Sequence, residues 1–337
     1  MIYNKKEYIL WNLIYSNAKE EKLNYDEIIY LFLQSINERI NLFKKFEILN
    51  LKAEKKEAEK KDRKTKTYLN LLKFFEEKKY LKYEKNIVEI EKNCIENNIK
   101  MLFFEEEKFP IKLKNIFNPP IMLYYKGKFE DKRNILTIAG NREIGKYGKT
   151  IVNKVVELFS KKNYVILSGL ASGTDTEAHM SALDNNLKTF AILGQGISSK
   201  IYPNKNLNLS KKILENDGCL ISEIEPFKNP NKDYFLRRNR LQAGLADKIF
   251  IGAIKENGGG TLTTISYALK YNKKIYIWNP ILIYQKNKME KMEKSFLGNL
   301  ILFNNYYCNI NNNKLINYKK VIIQNSIQIK LGKDFYL

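Results

Sequence analysis

Twice in succession this chain runs through a short apolar stretch that stops abruptly in a glycine loop, and that repeat restricts its fold more than any other feature. The first copy is Ile135-Leu-Thr-Ile-Ala139 followed by Gly140-Asn-Arg-Glu-Ile-Gly145. The second is Tyr164-Val-Ile-Leu-Ser168 followed by Gly169-Leu-Ala-Ser-Gly173. A helical run of about a dozen residues or more lies between the copies and after them, the period of parallel β-α units. Glycine in such loops lets backbone N–H groups approach a ligand, and the following helix aims its positive end at the same place. The expected ligand is therefore anionic.

The alternation continues downstream and predicts strands at 135–139, 164–168, 189–193, 219–222, 248–254 and 274–278, with helical segments between most of them. This is the pattern of an α/β, doubly wound, mostly parallel sheet, in which the loops beyond the carboxyl ends of the strands share one edge. Those loops hold the unusual residues: Gly140 to Gly148, Gly169 to Asp175, Gly194-Gln-Gly196 with Tyr202-Pro203, the stretch from Phe227 to Arg240, and Gly258-Gly-Gly-Thr261. None is a G-x-G-x-x-G or a P-loop, so neither dinucleotide nor P-loop nucleotide binding is supported.

With 59 Lys+Arg against 37 Asp+Glu, the net charge is 59 − 37 = +22, which attracts polyanions or acidic membranes. Scattered lysines in a chain loaded with Lys, Asn and Ile make a solvated surface rather than a site. The seven arginines are more telling: Arg142, Arg237, Arg238 and Arg240 fall in two of the edge loops, beside Arg39, Arg63 and Arg133 elsewhere. A planar, forked cation suits phosphate and base stacking in a way that a lysine point charge does not. Cys94, Cys219 and Cys308 lie far apart without C-x-x-C spacing, so neither a disulfide framework nor a zinc site is indicated. No apolar run is long enough to cross a bilayer and no cleavable leader opens the chain, so the expected location is the cytoplasm.

Residues 1 to about 90 read as helical, with apolar stripes through Tyr8-Ile-Leu-Trp11 and through Ile28 to Ile40. From Lys44 to Lys66 the chain is almost wholly charged, with both signs mixed at i,i+4 as on an exposed helix. Leu69, Leu71-Leu72 and Phe74-Phe75 resume the apolar pattern. Phe109-Pro110, Pro119-Pro120 and Gly127 then punctuate short apolar runs, of which 121–125 reads as a strand, and mark the entry to a second domain.

On these residues the sequence resembles the DprA/Smf family of DNA-processing proteins. The stretches that carry the likeness are Phe109-Pro-Ile-Lys-Leu113, Pro119 to Gly127, Gly140-Asn-Arg142, Ser168-Gly-Leu-Ala-Ser-Gly-Thr-Asp175 and Ala178-His179. Ile192-Leu-Gly-Gln-Gly196, Tyr202-Pro203, Ser222-Glu223, Phe235-Leu-Arg-Arg-Asn-Arg240 and Ala243-Gly-Leu245 continue it in order and spacing. The resemblance implies an extended Rossmann-like core over 101–303, an N-terminal helical (SAM-like) domain over 1–100 and a short C-terminal tail over 304–337 without the winged helix of many relatives. It implies further a homodimer that binds and protects single-stranded DNA and loads the RecA recombinase onto it in natural transformation, with no reaction, cofactor or metal.

A single strand is held by a basic groove along its phosphates and by aromatic faces for its bases. Arg142, beside Gly140, is the leading phosphate ligand. By resemblance Lys232 contacts backbone and Phe235 stacks on a base. Arg238 and Arg240 either join them or brace the loops through Glu223 or Asp175. Ser168, Gly169 and Gly173 in the second loop, Lys205 after Tyr202-Pro203-Asn204, and Gly259, Gly260 and Thr261 complete the expected DNA-binding set.

Two features point to catalysis instead. Asp175 and His179 stand one helical turn apart, as an orienter and base would, although no motif supplies a Ser or Cys nucleophile. Gly258-Gly-Gly-Thr261 looks like the phosphate loop of the lysine-decarboxylase-like nucleotide phosphoribohydrolases. Their catalytic Glu falls here at Thr264, and the chain also departs from the DprA pattern at Gly252, Gly259-Gly-Thr261 and Asn279-Pro280.

Overall fold

The computed structural model describes residues 3–37, 73–75, 77–130, 134–255, 258–278 and 296–299. The charged run Lys44 to Lys66, the apolar residues Leu69, Leu71 and Leu72, Asn279-Pro280 and the tail from 304 lie outside the described residues. The chain divides into two compact units, residues 1–124 with 223–227, and residues 125–222 with 228–337.

The first unit contains α1 (Lys5–Ser16), α2 (Tyr25–Asn37), α3 (Glu84–Glu96), β1 (Lys100–Phe103), the single turn α4 (Ile111–Lys114) and the start of β2 (Met122–Gly127). A reciprocal capping box starts α1. The Asn4 side chain accepts from Glu7 N at 3.0 Å and the Glu7 carboxylate accepts from Asn4 N at 2.8 Å, which satisfies two otherwise orphaned donors. Tyr3, Tyr8, Trp11 and Phe32 then form an aromatic core, with Trp11 and Phe32 edge to face at 5.7 Å and Phe103 against Tyr8 at 4.9 Å. The helical reading of this region is thus observed at α1, α2 and α3, among the described residues. The short strand β1 has no counterpart in it, because four residues are too few to show a period.

The second unit alternates β3 (Ile135–Ala139), α5 (Lys146–Ser160), β4 (Val165–Ser168), α6 (Thr174–Asp184), β5 (Thr189–Ile192), α7 (Leu207–Glu215), β6 (Cys219–Ser222), α8 (Lys232–Leu245), β7 (Lys248–Ile251), α9 (Gly259–Lys270) and β8 (Lys274–Ile277). Its strands lie in the order β6-β5-β4-β3-β7-β8, each neighbouring pair parallel. β2 adds beside β6, where Lys128 N donates to Gly218 O at 3.0 Å, and β1 adds beside β2 to complete eight strands.

Strand alternation sorts the core between the two faces. Leu136, Ile138, Ile166 and Phe250 point to one face, where α5 packs Ile151, Val152, Val155, Val156 and Phe159 at helical spacing and α6 packs Ala178 and Ala182. Ala139, Ile249, Ile251, Ile275 and Ile277 point to the other, against Ala243 of α8 and Leu262, Ile265 and Ala268 of α9. Each fully buried branched side chain contributes roughly 1.5–3 kcal/mol. The doubly wound Rossmann-like architecture expected from the sequence is the one observed. The chain leaves β3 in one direction to form β4, β5 and β6, then crosses back to place β7 on β3's other side. The switch point therefore lies between β3 and β7, where a ligand crevice opens in sheets of this type.

Two local differences have physical causes. The seventh strand was expected to reach 254 but ends at Ile251. Gly252 N still donates to Ala139 O at the end of β3, but beyond it the buried, apolar backbone bonds elsewhere: Asn141 N donates to Ala253 O, and the buried Asn299 accepts from Ile254 N at 2.8 Å and donates to Gly252 O at 2.7 Å. Arg237, Arg238 and Arg240, expected in a loop, lie instead within α8, which Asn231 caps by accepting from Tyr234 N at 2.9 Å.

Candidate nucleic-acid interface

At the switch point a cavity of about 740 Å³ opens at the carboxyl ends of the strands. The loop after β3 supplies Gly140, Asn141 and Arg142, the turn before α6 supplies Ala171, and the first turn of α6 supplies Asp175. Tyr202 and Pro230 come from the longer loops, Lys255 from the loop after β7, and Gly258, Gly259, Gly260 and Thr261 from the start of α9. One face of α8 fills the remaining wall. Lys232, Phe235, Arg238, Asn239 and Gln242 recur at steps of three and four, the spacing that puts side chains on one stripe.

Arg142 is exposed, and its position is set by its neighbours. Asn141 O accepts from Thr174 N at 3.0 Å, and Asn141 Oδ1 accepts from Lys255 N at 3.0 Å, so one buried asparagine ties three loops together. Gly173, at φ +72°, packs so close that a Cβ there would lie 2.5 Å from the carbonyl carbon and oxygen of Arg142. The Arg142 guanidinium carbon lies 5.5 Å from the ring centroid of Phe235, a cation–π contact. The Phe235 ring packs on Gly194 and stands 5.7 Å from the ring of Tyr202, which is 49% exposed.

Arg238 is placed differently. It is buried, its Nη1 donates to Ile192 O at 2.9 Å, and its guanidinium passes so close under Gly169 that a Cβ there would fall 1.5 Å from Nη1. Desolvation pulls its pKa down to about 10, with the nearby Asp175 opposing that fall, so it stays charged at neutral pH. Asp175 accepts from the amides of Gly169 and Ala171, both at 3.2 Å. Burial pushes its carboxyl above the ordinary range, and Arg238 works against that rise.

Of the residues expected from sequence, the structure brings Gly140, Arg142, Lys232, Phe235, Arg238, Gly259, Gly260 and Thr261 to the cavity. Ser168, Gly169, Gly173, Lys205 and Arg240 are not among its lining residues. Ser168 is buried and its Oγ donates to Ile138 O at 2.7 Å, Lys205 stands exposed on a 3-10 turn, and Arg240 is buried on another face of α8 from Phe235. Sequence reasoning did not single out Asn141, Tyr202, Asn239 or Lys255 as site residues. The helical step from Phe235 was the signal for Asn239, and its Nδ2 donates to Gly260 O at 3.2 Å. The lining holds four cations, Arg142, Lys232, Arg238 and Lys255, against one carboxylate, Asp175, among its described residues.

Asp175 and His179 do not form an acid–base pair. His179 is fully buried with Nδ1 at 2.7 Å from Thr189 Oγ1, whose own hydroxyl donates to Ile166 O at 2.8 Å. The threonine oxygen therefore accepts from Nδ1–H, which fixes the neutral tautomer. Burial drives the imidazole pKa down to about 3, and the Arg238 charge adds to the fall. Because the unfolded chain protonates near pH 6.5 and the folded one does not, this group removes stability as pH falls from about 6.5 to 3, with a slope approaching about 1.4 kcal/mol per pH unit. Asp175, shifted upward, acts in the opposite sense. The His179→Asn variant is expected to show a shallower acid loss than wild type in urea melts from pH 7 to 4. Equal pH profiles would show that the histidine is not held neutral.

The fold is that of a Rossmann-like α/β protein whose ligand edge is cationic and lined by glycine. Its sequence places it further: the family model for DNA recombination-mediator protein A matches residues 100–294, and the chain belongs to that family, the DprA/Smf DNA-processing proteins. Protein Smf of Borreliella burgdorferi is 34% identical over 198 residues, which cover 57% of this chain and 62% of the relative. DNA processing protein DprA of Streptococcus pneumoniae is 36% identical over 159 residues, 47% of this chain and 55% of the relative. The match thus spans less than two thirds of these relatives' own length. The X-ray structure of the S. pneumoniae protein shares the fold at TM-score 0.63 and 24% identity, covering 88% of this chain and 96% of that one. DprA from Helicobacter pylori, whose structure addresses a single-stranded DNA binding mode, aligns at TM-score 0.52 and 24% identity over 69% of this chain and 91% of that one. Among the described residues no helix is long and apolar enough to cross a membrane.

Proposed function

We propose that this protein binds single-stranded DNA along the cationic edge of its sheet, breaks no bond in it, protects it, and hands it to a RecA-type recombinase as a cytoplasmic homodimer. The observation that carries the reading is Arg142 lying against Phe235 in a cavity with four cations and one carboxylate. A forked cation and an aromatic ring side by side are what a flexible phosphate chain with free bases requires, and an isolated anion would need no ring. The Helicobacter relative's single-stranded DNA binding supports the ligand, and membership of a recombination-mediator family supports the hand-off. Against the phosphoribohydrolase reading, Thr264 lines the cavity where the catalytic acid would stand, and the carboxylate of Asp175 is occupied by two amides.

A labelled oligothymidine is expected to bind more tightly than a duplex of equal length. Its affinity should fall steeply with salt, by about 0.7 in log–log slope for each phosphate neutralised. Gel shifts over a salt series, with the nucleic acid recovered and sized afterwards, test both halves of the reading. Saturable cleavage of a mononucleotide that long oligonucleotides leave unaffected would favour the hydrolase.

A further inference from the structure

Lys255 lines the cavity from the loop after β7, and its Nζ lies 2.6 Å from Oε2 of Glu143 on the loop after β3. Glu143 itself is absent from the lining. Both side chains are well exposed, 46% for Lys255 and 81% for Glu143, so the pair is solvated and weak. Meanwhile the backbone around it is fixed: Lys255 N donates to Asn141 Oδ1, and Asn141 N donates to Ala253 O. Opening the pair therefore needs side-chain rotation alone. The hydrogen bond from Lys255 holds the Glu143 carboxyl below its ordinary range, so the group is an anion at neutral pH.

We propose that Lys255 is a phosphate-contacting residue of the DNA-binding edge and that Glu143 stands in for a phosphate until a strand displaces it. A carboxylate and a phosphate offer an ammonium the same kind of charged oxygen acceptor, so displacement exchanges one charge-assisted bond for another. This inference rests on reading the cavity as a single-stranded DNA site. It makes Glu143 a positioning residue: it pre-sets Lys255 at the switch point, and its expulsion is a small cost of binding.

The test measures oligothymidine affinity across a salt series for the full chain and four variants: Glu143→Gln, Lys255→Gln, the double variant, and Asp217→Asn. Asp217 is the control, since it too is exposed and paired, with Lys128 at 2.7 Å, but just before β6 at the amino end of the strands, away from the cavity. Expected are up to about fivefold tighter binding for Glu143→Gln, the range of an exposed ion pair, and little change for Asp217→Asn. Lys255→Gln should weaken binding and lower the salt slope by about 0.7. In the double variant the gain from Glu143→Gln should vanish. A gain that persists without Lys255, or that Asp217→Asn matches, is a net-charge effect and overturns the inference alone. Failure of the wild type to bind the oligomer at all overturns the DNA reading and this inference with it.

Discussion

Arg142→Ala is expected to weaken oligothymidine binding roughly 30- to 150-fold at moderate salt, the loss that follows when a charge-assisted phosphate contact worth about 2–3 kcal/mol disappears. The loop should survive the change. Its shape is set by the bonds of Asn141 and by the packing of Gly173 on the Arg142 backbone, none of which involves the guanidinium. Among the described residues no carboxylate pairs with Arg142, and the adjacent Glu143 pairs with Lys255 instead. Truncation should thus reach the ligand without leaving a buried charge behind. Arg142→Lys should recover only part of the affinity, because a point charge cannot both fork onto phosphate and lie flat on Phe235. Gel shifts of the three proteins over a salt series, with the Arg142→Ala slope shallower by about 0.7, check this. Wild-type affinity and slope in Arg142→Ala would sink the reading of this edge as the DNA site.

The fold was legible where one face of an element is buried and the pattern is long enough to show its period. The strand at 135–139 appears in the structure with the boundaries expected, and the helix after it carries Ile151, Val155 and Phe159 at readable spacing. Legibility fails where burial is shared by something other than a strand. Gly252 to Ile254 look like a continuation of β7 because they are apolar and buried, but Asn141 and Asn299, distant in sequence, take their backbone groups. The same holds for the site. Arg142 and Phe235 stand out as residue types, whereas Lys255 is one lysine among many and becomes conspicuous only when the strand order brings its loop beside that of Arg142. Arg238 and Arg240 look alike in the sequence. Their separation follows from helical geometry, which turns Arg238 onto the Phe235 stripe and Arg240 away from it.

Arg238→Met is expected to act chiefly on folding, lowering stability by about 1–3 kcal/mol, the cost of leaving the buried Ile192 O without its donor. The guanidinium lies beneath Gly169, donates to Ile192 O and acts electrostatically on Asp175, which accepts from the amides of Gly169 and Ala171 and interacts with the Ser168 side chain. Without the cation, burial of the carboxylate is opposed by hydrogen bonds alone, and its already raised pKa should rise further. The sign of the pH dependence follows. A carboxyl whose folded pKa is raised contributes most below its unfolded value near 3.8 and loses that contribution as pH rises, so the deficit of the variant should be larger at pH 7 than at pH 4. Adding Asp175→Asn removes the stranded charge and should return part of the loss, a coupling that a double-mutant cycle in urea reads directly. If Arg238→Met instead melts like wild type and loses only DNA affinity, the residue is a ligand to the strand. If stability falls and the folded fraction still binds, Arg238 serves to hold the turn of Gly169 and the stripe of Phe235 in place, and the contact with phosphate belongs to Arg142.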